Sequence, residues 1–248
     1  MTASAIRTTS YFANSRAPRY SVLFALPLLI VYEGLVALLG GDDGGRTLRN
    51  GADVVLRNIF TLVAGRNGPL VFIAVVILVG VWFVARDLKR SRGSLRPSIF
   101  FAMLAESAVL AIAFGIVVSV LTAQVLGSMH LLATGQIEKA NWATRLMLSL
   151  GAGLYEELFF RVLLVSTLAA GSRVLLGANR RVAGVLATVV GAVVFSAFHY
   201  IGPYGDPFQV PSFVFRTIGG VAFSALYLVR GFGITAWTHA LYDAFLLL

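Results

Sequence analysis

A small set of ionisable side chains stands inside long apolar runs of this chain. They are Glu33, Glu106, Glu156, Glu157, Arg161, His199, Arg216, His239 and Asp243. A charged group at the centre of a bilayer costs at least about 2.5–3.5 kcal/mol on insertion scales, so such residues are retained for function or as buried structural pairs. Carboxylates and imidazoles are also the groups that most often activate water as general acids and bases.

The first candidate motif is Glu156-Glu157-Leu-Phe-Phe-Arg161. On an α-helix Glu157 and Arg161 are four residues apart, in the order that favours an ion pair. Glu156 is turned by about 100° from Glu157, given about 3.6 residues per turn. We therefore expect Glu157 and Arg161 to form a structural pair and Glu156 to point into a cavity. The alternative, that all three only pair with other helices, stays open.

Two histidines supply the other motifs. Phe195 and His199 share one helix face, so the Phe195 ring is expected beside the imidazole. His239 and Asp243 have the same spacing. Either histidine alone is more typical of a core or interfacial residue, but with Glu156 on facing helices they are the ingredients for activating water. The chain has no His-Glu-x-x-His motif and no Gly-x-Ser-x-Gly motif.

In this order, Glu-Glu-x-x-x-Arg, Phe-x-x-x-His and His-x-x-x-Asp, the motifs resemble the CAAX-protease and bacteriocin-processing (CPBP, or Abi) family of intramembrane endopeptidases. The resemblance covers residues 156–243 and leaves the first three predicted spans unmatched. It implies that Glu156 is the catalytic glutamate and that His199 helps it to polarise water. It also implies that His239 and Asp243 orient water or stabilise the oxyanion, and that Glu157 and Arg161 support the first motif.

The third motif departs from the family, in which it often ends in Asn, because here it ends in Asp243. An ionised Asp cannot donate a hydrogen bond, so holding His239 in position suits Asp243 better than an oxyanion role. His239 is then the candidate oxyanion donor. Zinc is an alternative, since two histidines with Glu156 or Asp243 could bind it, but without a close-spaced ligand motif we favour a mechanism with no metal and no cofactor.

The composition requires that these residues be held by membrane helices. Of 248 residues 58% are hydrophobic and 12% charged, against about 45–50% and about 25% in soluble domains. A helical span needs roughly 17–25 apolar residues. Seven segments come close: Tyr20–Leu39, Pro69–Ala85, Ser98–Ala123, Ala143–Ala170, Val182–Tyr200, Ser212–Val229 and Phe232–Leu248. We therefore predict an all-α, polytopic membrane bundle of about seven helices, or eight, with Asp53–Val63 as an interfacial helix.

The basic residues predict the orientation of this bundle. With a cytoplasmic N-terminus, inside segments would hold twelve Lys and Arg residues and outside segments five. This bias favours a multi-pass protein of the cell membrane with its N-terminus in the cytoplasm. It also explains the net charge of +9 by membrane topology and by contact with anionic lipid, so we expect no nucleic-acid partner. We predict a single membrane domain over residues 1–248, with the catalytic motifs in 143–248.

The substrate expected from these features is a membrane-anchored or lipophilic protein or peptide that enters between helices. The reaction could be C-terminal processing or sorting of membrane-anchored proteins. Three prolines and two glycines in Ile201–Pro211, directly after His199, preclude a helix there and leave two interpretations open: a plain connector or a substrate gate. The alternative function is a non-catalytic transporter or immunity-type scaffold that uses the same buried polar cluster.

Overall fold

The computed structural model describes residues 10–39, 48–91, 94–126, 141–202 and 205–247, which form helices and no strand. The α-helices in chain order are α1 (Tyr11–Ser15), α2 (Pro18–Leu39), α3 (Gly51–Ala64), α4 (Gly68–Arg90), α5 (Pro97–Leu126), α6 (Trp142–Gly151), α7 (Ser166–Leu175), α8 (Arg180–Phe198), α9 (Val210–Arg230) and α10 (Phe232–Leu247). Between α6 and α7 the chain is a π-helix over Ala152–Val165, here called the π segment, so that Trp142–Leu175 is one unbroken helical stretch.

Each predicted span coincides with one of these helical stretches, which confirms the polytopic helical bundle. Six stretches of the described chain are long and apolar enough to cross a membrane. The seventh predicted span is α10, which at 16 residues is shorter than the length that a full crossing usually requires. It packs against α2, α5, α6, α9 and the π segment, so its environment is mainly protein.

The exposed surface of α5 is apolar, as expected of a helix that faces lipid. Its buried positions form a stripe of every third or fourth residue, from Ile99 to Thr122. The opposite face exposes large apolar side chains such as Phe101, Val109 and Ile116. A helix that is apolar all round, with only one face covered by protein, is typical of a membrane span.

Helix α3 and helix α4 form a hairpin around a short 3₁₀ turn, Gly65–Asn67. Gly65 has a φ of 56°, which an L side chain rarely adopts, and it ends α3. Helix α3 agrees with the predicted helix over Asp53–Val63, but its charged side chains face inward. Asp53 is fully buried and Arg57 is mostly buried, and both belong to an internal cluster of ion pairs.

The π segment carries the first motif and alters the geometry that α-helical spacing predicts. Its hydrogen bonds close wider turns, so each residue turns through a smaller angle than the 100° that we expected between Glu156 and Glu157. At Gly153 this segment touches the backbone of α10, since a Cβ there would clash with the carbonyl oxygen of Ala236. The first and third motifs are therefore held in direct contact.

Candidate active site

The three motifs meet where the π segment packs against both α8 and α10. Glu156 and Glu157 lie on the π segment, His199 caps the C-terminal end of α8, and His239 and Asp243 lie on α10. Glu156 is buried and interacts electrostatically with both His199 and His239. The four side chains that the sequence predicted as catalytic are thus brought together.

Glu156 is held by a residue that the sequence motifs do not include. The side-chain amide of Asn50 donates a hydrogen bond to Glu156 Oε1 at 2.8 Å. Asn50 lies at the start of α3, more than a hundred positions earlier in the chain. The predicted cavity-facing Glu156 therefore has one carboxylate oxygen occupied by a neutral donor.

The orientation of the His199 ring follows from its hydrogen bond. Nδ1 lies 2.9 Å from the carbonyl oxygen of Phe195, one turn earlier. Because a carbonyl oxygen only accepts, Nδ1 carries the proton, and in the neutral ring Nε2 is left as an acceptor. The Phe195 ring lies 4.9 Å from the imidazole, edge to face, in the predicted position beside it.

Glu157 and Arg161 form the predicted ion pair, with 3.1 Å between Glu157 Oε1 and Arg161 Nη1, and both side chains are buried. The guanidinium lies over the rings of Phe195 and Phe223, at 4.5 and 5.4 Å from their centres. Aromatic faces attract such a cation. Phe195 therefore contacts both Arg161 and His199, whereas the sequence placed it beside His199 alone.

Glu157 also binds His239, a contact that the sequence did not predict. His239 Nδ1 donates to Glu157 Oε1 at 2.7 Å, and its ring stacks on Phe223 at 4.2 Å. Its Nε2 lies 3.6 Å from Asp243 Oδ2. With the proton on Nδ1, a neutral His239 presents an acceptor at Nε2, so it could donate to an oxyanion only as an imidazolium. Asp243 is placed to favour that form and to orient the ring.

A cluster of four charged side chains, which the sequence did not predict, is linked to the region of Glu156. Arg49 and Arg57 each pair with both Glu33 and Asp53. Burial by itself would lower the pKa of Arg49, but its hydrogen bonds to Glu33 and Asp53 raise it overall. We refer to these residues as the four-charge cluster.

Two tyrosines connect the four-charge cluster to the site. Tyr155, next to Glu156 in the chain, donates to Glu33 Oε1 at 2.8 Å. Tyr32 donates to Asp53 Oδ2 at 2.9 Å and accepts a hydrogen bond from the backbone N–H of Asn50. The one sequence signal for this region was Asn50 before Asp53, the pattern of a helix N-cap followed by an acid in the first turn.

The remaining intramembrane acid, Glu106, is structural. It pairs with Arg230 and accepts a hydrogen bond from Tyr11. Residue spacing does not predict the partners of Glu33 and Glu106, and in the structure Glu33 pairs with Arg49 and Arg57. Arg216 pairs with Asp206. The order of the helices along the chain therefore does not indicate which charged residues pair.

The described part of Ile201–Pro211 has no helix before Val210, as its prolines and glycines predict; residues 203 and 204 lie outside the described residues. The segment folds back on the site, since the backbone N–H of Asp206 donates to the His199 carbonyl oxygen at 2.9 Å. The Arg216–Asp206 pair joins it to α9. Whether it is a connector or a gate stays a prediction.

The donor set does not form a metal centre. Within the described ranges, no group of three or more His, Asp or Glu side chains is placed to hold a metal ion. His239 directs its two nitrogens at Glu157 and Asp243, and His199 directs Nδ1 at a carbonyl oxygen. The residues present therefore do not fit a zinc site, and no chemical step through a metal follows from them.

Comparison with known proteins gives a match for the segment of the chain that contains the three motifs. No curated protein and no solved structure matches the chain. Residues 138–245, slightly less than half of the chain, match the family model described as type II CAAX prenyl endopeptidase Rce1-like. The segment contains every residue of the three motifs. The match confirms the resemblance of this segment to the CAAX-protease family.

Proposed function

We propose that this protein is an intramembrane endopeptidase that hydrolyses a peptide bond in a membrane-anchored or lipophilic protein or peptide, using water activated by Glu156 and His199. The observation that carries the proposal is the position of Glu156. It is a buried carboxylate at the junction of the three family motifs, and it interacts with His199 and His239. Among the described residues no arginine forms an ion pair with Glu156, and a carboxylate set beside imidazoles is suited to act as a general base.

The proposed reaction uses two hydrogen-bond acceptors, the Glu156 carboxylate and Nε2 of His199. A water molecule between Glu156 and His199 Nε2 gives a proton to the Glu156 carboxylate while its oxygen bonds to the substrate carbonyl carbon. The carbonyl oxygen becomes an oxyanion, which His239 as an imidazolium would stabilise. The C–N bond then breaks, and the proton held by Glu156 passes to the leaving amine. Glu157, Arg161 and Asp243 take part by holding His239.

The substrate class is proposed from the family description together with the membrane setting. The matched family is described as CAAX prenyl endopeptidases, and a prenyl group is a lipid. The outer surface of α5 is apolar, so the bilayer reaches the bundle directly. A lipid-bearing segment could therefore approach from within the membrane and enter between helices.

The catalytic assignment is tested with Glu156→Gln and His199→Ala in proteoliposomes, using an internally quenched farnesylated CAAX peptide and its unprenylated counterpart. Because removal of a general base typically costs about 10²–10⁴-fold in rate, we expect kcat to fall by at least about 100-fold in both variants. The melting temperature of each variant in detergent is the control for folding, because a lower rate at an unchanged melting temperature reports a loss of chemistry and not of structure. Wild-type cleavage by both site variants would refute the proposal, and ion flux that survives Glu156→Gln would favour a transporter.

We also propose that the reaction requires no metal. The purified protein is analysed for bound metal and assayed on the same peptide before and after incubation with a chelator. The expected result is an unchanged kcat, because the proposed chemistry uses only the side chains of Glu156 and His199. Stoichiometric zinc, whose removal and restoration track activity, would contradict this mechanism.

A further inference from the structure

The side-chain amide of Asn50 has only one orientation compatible with its neighbours. Its Oδ1 accepts a hydrogen bond from the backbone N–H of Ala52 at 2.9 Å, which makes Asn50 the N-cap of α3. A backbone N–H can only donate, so the atom that faces it must be the oxygen. The Nδ2 group is then directed at Glu156, whose Oε1 it reaches at 2.8 Å.

The backbone of Asn50 is fixed as well. Its N–H donates to the hydroxyl of Tyr32, which in turn donates to the buried Asp53. Asp53 belongs to the four-charge cluster, in which Glu33 of α2 pairs with Arg49 and with Arg57 of α3. Asn50 is itself 8% exposed. Because several hydrogen bonds hold Asn50, its side-chain amide is already in position before Glu156 reacts.

We infer that Asn50 is a positioning residue for the proposed reaction: it holds the Glu156 carboxylate in place through one oxygen and leaves the other free to receive the proton of water. This inference rests on the proposed function. It extends the active site to the part of the chain that lies before the family segment. The neutral amide suits the role, because a cation in its place would form an ion pair with Glu156 and make it a weaker base.

A capping role alone would not require the contact with Glu156. The cap uses Oδ1 alone, and another asparagine of this chain caps a helix at a position away from Glu156. Asn179 accepts from the N–H groups of Arg181 and Val182 at the start of α8 and is exposed. Asn179 is therefore a matched control: the same residue type and the same cap, away from Glu156, on the helix that carries His199.

The experiment compares Asn50→Ser with Asn179→Ser in proteoliposomes on the farnesylated CAAX peptide. Serine also caps a helix, but its shorter side chain does not reach Glu156. We expect Asn50→Ser to lower kcat by about 10- to 100-fold, with KM within about threefold, since a misplaced base loses transition-state stabilisation alone. Asn179→Ser is expected to keep kcat within about twofold. Equal kcat values in the two variants would overturn the inference.

A second measurement does not depend on cleavage. The infrared carboxylate band of Glu156 is identified as the difference between wild type and Glu156→Gln. We expect the band to shift in Asn50→Ser and to stay in place in Asn179→Ser, because only Asn50 binds this carboxylate. If Glu156→Gln still cleaves the peptide, the proposed function fails, and with it the positioning role. If Glu156→Gln is inactive while Asn50→Ser keeps both the wild-type kcat and the wild-type band, only the role of Asn50 fails.

Discussion

At the scale of single residues, the side chains of the site are held in place because several of them bind the same partner. Glu157 Oε1 binds Arg161 on one side and His239 on the other, so one buried carboxylate sets the position of both. In the described residues, no hydrogen-bond acceptor meets the Arg161 guanidinium with good geometry. Its charge is therefore balanced by Glu157 and by the faces of Phe195 and Phe223.

The first prediction concerns this pair. Glu157→Gln leaves Arg161 as a buried cation without a counter-charge, and breaking a buried pair in this way costs about 3–5 kcal/mol. We expect a marked fall in the melting temperature of the purified protein in detergent. The double variant Glu157→Gln with Arg161→Met is the control and should regain most of the stability, since it removes both charges. A single variant as stable as wild type would contradict the pairing.

At the scale of helices, close contact between the π segment and α10 sets the distance between the first and third motifs. Gly153 is the contact point, because a Cβ there would clash with the carbonyl oxygen of Ala236 and lie 2.6 Å from Ala240 Cβ. The neighbours are backbone and Cβ atoms, which cannot move aside as the end of a flexible side chain does. The absence of a side chain at Gly153 thus allows the two helices to approach.

The second prediction tests this contact with Gly153→Ala. The added methyl group must push α10 away from the π segment, and overpacking of this kind costs about 1–3 kcal/mol. We expect a lower melting temperature and a lower kcat on the farnesylated peptide, because Glu156 and His239 move apart. Gly184→Ala is the control: a Cβ there meets nothing within 4 Å, so helix propensity alone should slightly stabilise it. If the two variants behave alike, the close approach is not essential.

At the scale of the whole molecule, the bundle is a multi-pass membrane protein, and its orientation is our proposal. The excess of Lys and Arg in alternate connections predicts a cytoplasmic N-terminus. In that orientation the α4–α5 and α7–α8 connections face the cytoplasm, and the α8–α9 connection beside His199 faces outward. The site would then open nearer the outer face of the cell membrane.

The third prediction tests this orientation. The chain has no cysteine, so single cysteines can be introduced without removing any. Ser94→Cys and Leu176→Cys lie in the first two connections and Phe208→Cys in the third, and all three positions are exposed. We expect a membrane-impermeant maleimide to label Phe208→Cys in right-side-out vesicles and the other two in inside-out vesicles. Labelling of all three from the same side would contradict the predicted topology.

Features that depend on local spacing and composition could be predicted from the amino-acid sequence. Apolar runs of bilayer length predicted the helices, because a chain in lipid must satisfy its backbone hydrogen bonds within each segment. A separation of four residues predicted the Glu157–Arg161 pair and the contact between Phe195 and His199, because such residues share a helix face. The order of the three motifs indicated the family of the segment that contains them.

The contacts between helices that are far apart in the sequence became known from the folded structure. The bond from Asn50 to Glu156, the pairing of Glu33 with Arg49 and Arg57, and the pairing of Glu106 with Arg230 all join different helices or connections. Buried charges of opposite sign attract whichever partner the packing brings near, and spacing along the chain carries no information about that choice. The contact of the π segment with α10 is of the same kind, because it depends on the fit between two helix surfaces.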